Sequence, residues 1–160
     1  MEIKLVKAYH MHDDVVELFS EYTDMLREND SEMAMYLNVQ NYDEEIKNLE
    51  VKYGMPEGRL YAALVDDQVA GCIALRKIDE ENAEVKRLFV KPEFRGLKLG
   101  EKLVKQLIED AKEIGYKHML LDTLPFLKSA IKLYQNLGFY DIDSYNGAPL
   151  GHLIYMKYDL

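Results

Sequence analysis

A chain of 160 residues, 48% hydrophobic and 31% charged, has the makeup of a water-soluble globular protein with enough length to bury a real core. Its 29 acidic against 20 basic residues leave a net charge of −9, and no run of Lys or Arg offsets it locally, which argues against nucleic acid as a partner. The lone cysteine, Cys72, excludes an internal disulfide and fits a reducing cytosol; with no leader-like or membrane-length apolar run, the expectation is a soluble, cytoplasmic protein without a membrane partner.

In chain order, residues 2–8 alternate well enough for a strand. His12-Asp13-Asp14 then offers an acidic helix start, followed by the stripe Val15, Leu18, Phe19, Tyr22, Met25 and Leu26. After a polar break at Asn29-Asp30-Ser31, residues 32–53 carry less regular apolar positions, Met33 and Met35 among them, and predict one or two further helical pieces. Strands are predicted over 59–66, 69–78 and 84–91, joined by short polar turns, so these three form an antiparallel meander.

From Leu99 the period changes to three and four (Leu99, Leu103, Val104, Leu107, Ile108, Ala111), a helix stopped by Gly115. The apolar run 117–122 reads as a buried strand parallel to the one before that helix. Thr123-Leu124-Pro125 opens a last helix with Leu127, Ala130, Ile131, Tyr134 and Leu137 on its inner face, ended by Gly138. Two closing strands, 139–144 and 153–158, flank the turn-rich loop Tyr145-Asn146-Gly147-Ala148-Pro149. The order β-α-α-β-β-β-α-β-α-β-β is that of one mixed α/β domain spanning 1–160.

The junction of the 84–91 strand and the following helix carries the chemistry. Gly96 and Gly100 lead into a helix whose first amides lack partners, a ready site for phosphate or pyrophosphate. No Gly-Lys-Ser/Thr follows, and the glycines do not space as G-x-G-x-x-G. The segment Arg95-Gly96-Leu97-Lys98-Leu99-Gly100 resembles the acyl-CoA loop of the GNAT superfamily of N-acetyltransferases, with Lys98 where a middle glycine is usual. Further on, Leu133-Tyr134-Gln135-Asn136-Leu137-Gly138-Phe139 resembles that superfamily's Leu-Tyr-x-x-x-Gly-Phe signature, and the element order is similar throughout.

The resemblance implies the GNAT acyl-CoA N-acyltransferase fold and an acetyl-CoA-dependent N-acetyltransferase that moves an acetyl group to a primary amine in a ternary complex. No Cys, His and carboxylate spacing suggests a metal. Acetyl-CoA would be held by Arg95, Gly96, Leu97, Lys98, Leu99, Gly100 and Glu101, by the strand end Leu88, Phe89 and Val90, and by Thr123, Ala130, Leu133 and Tyr134. Tyr134 would be the general acid for the departing thiolate. Glu84 is the candidate base, with Asp122 and Asp143 behind it. Cys72, in an apolar strand, reads as core.

The partner implied is a small-molecule or peptide amine, which an acidic surface suits, and a homodimer is compatible with it. Protein N-termini or lysines as acceptors, a non-catalytic acyl-CoA-binding module, and a binder of another phosphate ligand are the alternatives.

Overall fold

The computed structural model describes residues 1–39, 41–148 and 150–160, so Pro149 of the expected last turn, like the Met35 side chain, lies outside the described residues. A seven-stranded sheet runs in the order β1-β2-β3-β4-β5-β7-β6, where β1 is Ile3–Lys7, β2 Arg59–Val65, β3 Gln68–Lys77, β4 Asn82–Val90, β5 His118–Thr123, β6 Tyr140–Ile142 and β7 Ile154–Asp159. All neighbours are antiparallel except β4 and β5, which pair in parallel across the helix α5 (Leu99–Ile114). The meander and the parallel crossover are therefore as expected. A Gly115 at φ 105 closes α5, a conformation that favours glycine.

Consecutive strand residues fall into different cores, as the period of two requires. Leu60, Ala62, Cys72 and Ala74 pack with Val15, Leu18 and Phe19 of α1 (His12–Asn29) on one face. Tyr61, Ala63, Ile73 and Leu75 pack with Leu103, Val104 and Leu107 of α5 on the other. The region between α1 and β2 holds three short helices, α2 (Met33–Val39), α3 (Tyr42–Glu45) and α4 (Glu50–Tyr53), rather than one or two. The last helix, α6 (Lys128–Leu137), starts later than its sequence suggests. Pro125 lies in a turn closed by the Leu127 amide on the Leu124 carbonyl, because the residue before a proline is pushed out of the helical region. Among the described residues no helix is long and apolar enough to cross a membrane.

Two irregularities in β4 shape the site. Its pairing with β5 stops at Glu84↔Leu120, so from Val85 onward the two parallel strands separate. Its register against β3 slips between Cys72 and Ala74, where Arg87 takes φ 60, a bulge paid for by a side chain with strong local partners. Arg87 donates to Glu45 through Nε at 2.9 Å and Nη2 at 3.0 Å, and its guanidinium lies 5.4 Å from the Tyr42 ring centroid. Lys52 adds a third bond to the same carboxylate at 2.8 Å.

Burial pushes the Glu45 carboxyl up, but Arg87 and Lys52 outweigh it and hold the group at about 2. A carboxyl lowered on folding stabilises the fold above its unfolded value of 4.5, and that contribution is lost as pH falls from there toward 2. Glu45→Gln is expected to cost about 3–5 kcal/mol at neutral pH, since it removes the anion facing the buried Arg87 and the partly buried Lys52. In urea unfolding, the gap to wild type should close below pH 4.5; a gap that persists at pH 2 would contradict the assignment.

Candidate active site in the cleft between strands four and five

The separation of β4 from β5 opens a cleft of about 900 Å³, within the range of small-molecule and cofactor sites. Its floor is Val85 to Val90, the part of β4 that β5 no longer pairs. Leu88 and Val90 face the α5 side and Phe89 the α1 side, so this triplet alternates normally. The lapse in strict alternation along β4 sits at the Arg87 bulge.

One end of the cleft is the loop into α5. Gly96 stands at φ 91 and Lys98 at φ 60, and this turn aligns a row of amides. The amides of Gly96, Leu97, Lys98, Leu99, Gly100 and Glu101 have no hydrogen-bond acceptor among the described residues; the first helical bond is Lys102 to the Lys98 carbonyl at 3.1 Å. Such a row at a 16-residue helix's positive end binds an anion. A Cβ on Gly100 would meet Leu133 of α6 at 3.2 Å, so glycine there permits the close approach of the two helices. Arg95, Gly96, Lys98, Leu99, Gly100 and Glu101 all line the cleft, as do Thr123, Ala130, Leu133 and Tyr134; Leu97 is absent from its wall and packs against the α5-side core.

Tyr134 is 6% exposed and its ring rests 5.4 Å from that of Phe139, so it is a core residue by packing. Its hydroxyl, however, makes no hydrogen bond among the described residues and is not sealed from the cleft it lines. Burial pushes the phenol above its ordinary value, with Tyr22 and Asp122 adding to the effect, so it stays protonated. Burial likewise raises the Cys72 thiol, to about 12; the residue is fully buried and absent from the cleft wall, as its sequence context suggests.

Glu84 is placed differently from expectation. It is 2% exposed and does not line the cleft. Arg76 Nε donates to its Oε1 at 2.6 Å and the Tyr145 hydroxyl to its Oε2 at 2.5 Å. Burial pushes its carboxyl up, but Lys86 and Arg76 more than compensate and hold it below the usual glutamate value. An ion-paired carboxylate of this kind is a poor carrier of an amine's proton. Asp122, by contrast, lines the cleft at the end of β5; its Oδ2 accepts from Tyr36 at 2.5 Å and Asn146 at 2.9 Å. Asp143 does not line the cleft.

Sequence reasoning gave no role to Lys86, which lines the cleft floor and is only 9% exposed. It also separated residues that folding joins: His152 ion-pairs with Asp30, with its Nδ1 3.9 Å from Glu32, and the three offer possible metal-ligand atoms within 4.8 Å. All three side chains are at least partly exposed, and nothing at this surface adds to the cleft.

Residues 15–139 match the model of the acetyltransferase (GNAT) family. An uncharacterized N-acetyltransferase of Schizosaccharomyces pombe is 37% identical over 162 residues, covering 100% of this chain and 95% of that protein. An acetyltransferase of Streptococcus agalactiae superposes with a TM-score of 0.78 at 25% identity, covering 99% of this chain and 98% of that one. A GNAT family acetyltransferase of Elizabethkingia anophelis, solved with acetyl-CoA bound, gives a TM-score of 0.57 at 27% identity over 65% of this chain and 77% of that one.

Proposed function

This chain belongs to the GNAT acetyltransferase family, and from that premise we propose that it transfers an acetyl group from acetyl-CoA to a primary amine by direct attack in a ternary complex. The observation that carries the reading is the alignment, along one cleft, of three features. Among the described residues, these are the unpartnered amides of Gly96 to Glu101, the stretch of β4 that β5 no longer pairs, and the unbonded hydroxyl of Tyr134.

In this reading the pyrophosphate sits on the amide row, with Arg95 and Lys98 supplying positive charge. The pantetheine arm runs along Leu88 to Val90 as an added strand would, its amides bonding the free edge of β4. The acceptor amine enters from the α1 and α2 side, where Asp122 Oδ1 accepts its hydrogen bond. An alkylamine of pKa about 10 is only about one part in a thousand free base at neutral pH, so the ammonium first gives a proton to water held near Asp122. The nitrogen lone pair then forms the C–N bond as the C–S bond breaks. Tyr134 protonates the departing sulfur, and solvent returns the phenol's proton. Glu84 serves as a fixed anion, paired with Arg76 and holding the Tyr145 hydroxyl in place.

Thermal unfolding in the presence of acetyl-CoA, CoA, ATP and NAD tests the donor site. Acetyl-CoA and CoA should raise the melting temperature at concentrations where ATP and NAD do not; equal shifts from all four would point to a general phosphate binder.

A further inference from the structure

The floor of the cleft holds a cation with no obvious internal use. The Lys86 side chain is 9% exposed, yet its ammonium makes no hydrogen bond among the described residues; its one ion pair is a long contact of 3.9 Å to Glu84 Oε1. That carboxylate oxygen is already taken by Arg76 at 2.6 Å. Its Nζ is not sealed off and opens on the cleft, so its unused donors are available to a bound group.

The other charges around it are engaged with one another: Glu84 with Arg76, and Glu45 with both Arg87 and Lys52. What remains facing the cleft near the β4–β5 fork is Lys86 on one strand and Asp122 on the other. No ion pair joins these two among the described residues, and Asp122 Oδ1 has no partner there, its bonds from Tyr36 and Asn146 both ending on Oδ2. Burial, together with Arg87, pushes the Lys86 ammonium below its ordinary value, against the pull of Glu84 and Asp122, and an anion seated beside it would offset that.

We infer that the acceptor carries a carboxylate as well as an amine, an amino acid in the broad sense, with its carboxylate on Lys86 and its amine on Asp122. The inference rests on the acetyl-transfer reading above and adds the substrate class. A zwitterion is neutral overall, so the chain's net charge of −9 does not repel it. The opposed charges of Lys86 and Asp122 also fix the direction in which it lies. A neutral amine would leave Lys86 with only its long contact to Glu84 and would forgo the corresponding interaction.

The test uses acetyl-CoA with paired acceptors, in which α-, β- and γ-amino acids stand beside their carboxamides, and reads thiol release. The better acids should exceed their amides by at least about 10-fold in kcat/KM. Lys86→Met should lower kcat/KM for those acids by about 10²-fold, mainly through KM, and bring acid and amide level. Lys86→Arg should restore part of the preference. Stabilisation by CoA should persist in both variants, which shows that they fold and hold the donor. A preference for the amides in wild type, or a Lys86→Met loss equal for acids and amides and confined to kcat, overturns the inference; the latter would make Lys86 a proton carrier instead.

Should CoA bind while no acceptor turns over, calorimetry of the CoA complex with N-acetyl amino acids and their amides reads the carboxylate site directly. Binding of the acids alone, lost in Lys86→Met, sustains the inference, and equal or absent binding overturns it. Failure of the acetyl-transfer reading shows separately, as a wild-type protein that CoA does not stabilise or that binds acetyl-CoA and turns over no amine at all.

Discussion

Tyr134→Phe should lower kcat by about 10²–10⁴-fold while leaving acetyl-CoA affinity nearly unchanged. The substitution keeps the ring, and with it the contact to Phe139 and the place in the α5-side core. It deletes only a hydroxyl that no described residue bonds, so the fold should lose less than about 1 kcal/mol. The proton is needed only as the thiolate leaves, which is why the loss falls on kcat. Because burial lifts the phenol above its ordinary value, wild-type kcat should show no alkaline decline from this group below about pH 10. A near-wild-type kcat for Tyr134→Phe, under conditions where chemistry limits turnover, would remove Tyr134 from the mechanism and leave water as the donor.

Gly100→Asp should abolish the stabilisation by CoA. At a hundred times its dissociation constant, a ligand adds about 2.7 kcal/mol to wild type, at about 2–4 °C of melting temperature per kcal/mol for a chain of this size. The aspartate sets a negative charge at the helix end where the pyrophosphate must lie, and its Cβ meets Leu133 at 3.2 Å. Gly100→Ala makes the same contact without the charge and separates the two effects. It should retain most of the CoA shift if electrostatics dominates, and lose it if crowding against Leu133 closes the cleft. An undiminished shift in Gly100→Asp would take the pyrophosphate off this loop.

The parts of the molecule that local pattern controls were legible in the sequence. The period of two in β2 to β4, the period near 3.6 from Leu99, and the glycines at 96 and 100 each act through neighbours a few residues away. So the sheet order around the cleft and the loop at its end follow from the chain alone. What escaped depends on contacts far apart in sequence. Tyr36 meets Asp122, Glu45 meets Arg87, and Tyr145 covers Glu84, at separations of 86, 42 and 61 residues.

Glu84 illustrates the consequence. Beside the turn at 79–82 it reads as exposed and free to take a proton; Arg76 across the strand pair and Tyr145 from a distant loop bury it and fix its charge. Lys86 shows the converse. A lysine two places along an alternating strand looks like solvent-facing decoration, and only the opening of β4 from β5 makes its position the floor of a cleft. The bulge at Arg87 was hidden for a similar reason: its left-handed backbone is compensated by Glu45, which no local rule connects to it.

The most direct test of the account is to incubate the protein with acetyl-CoA and a panel of small amines, amino acids and peptides, following free thiol and identifying products by mass spectrometry. The account predicts thiol release that requires an amine and is matched one for one by the N-acetylated amine. Acetyl-CoA bound tightly but released as thiol at the same slow rate with every amine or none would contradict it, leaving a protein that holds the donor without transferring the group.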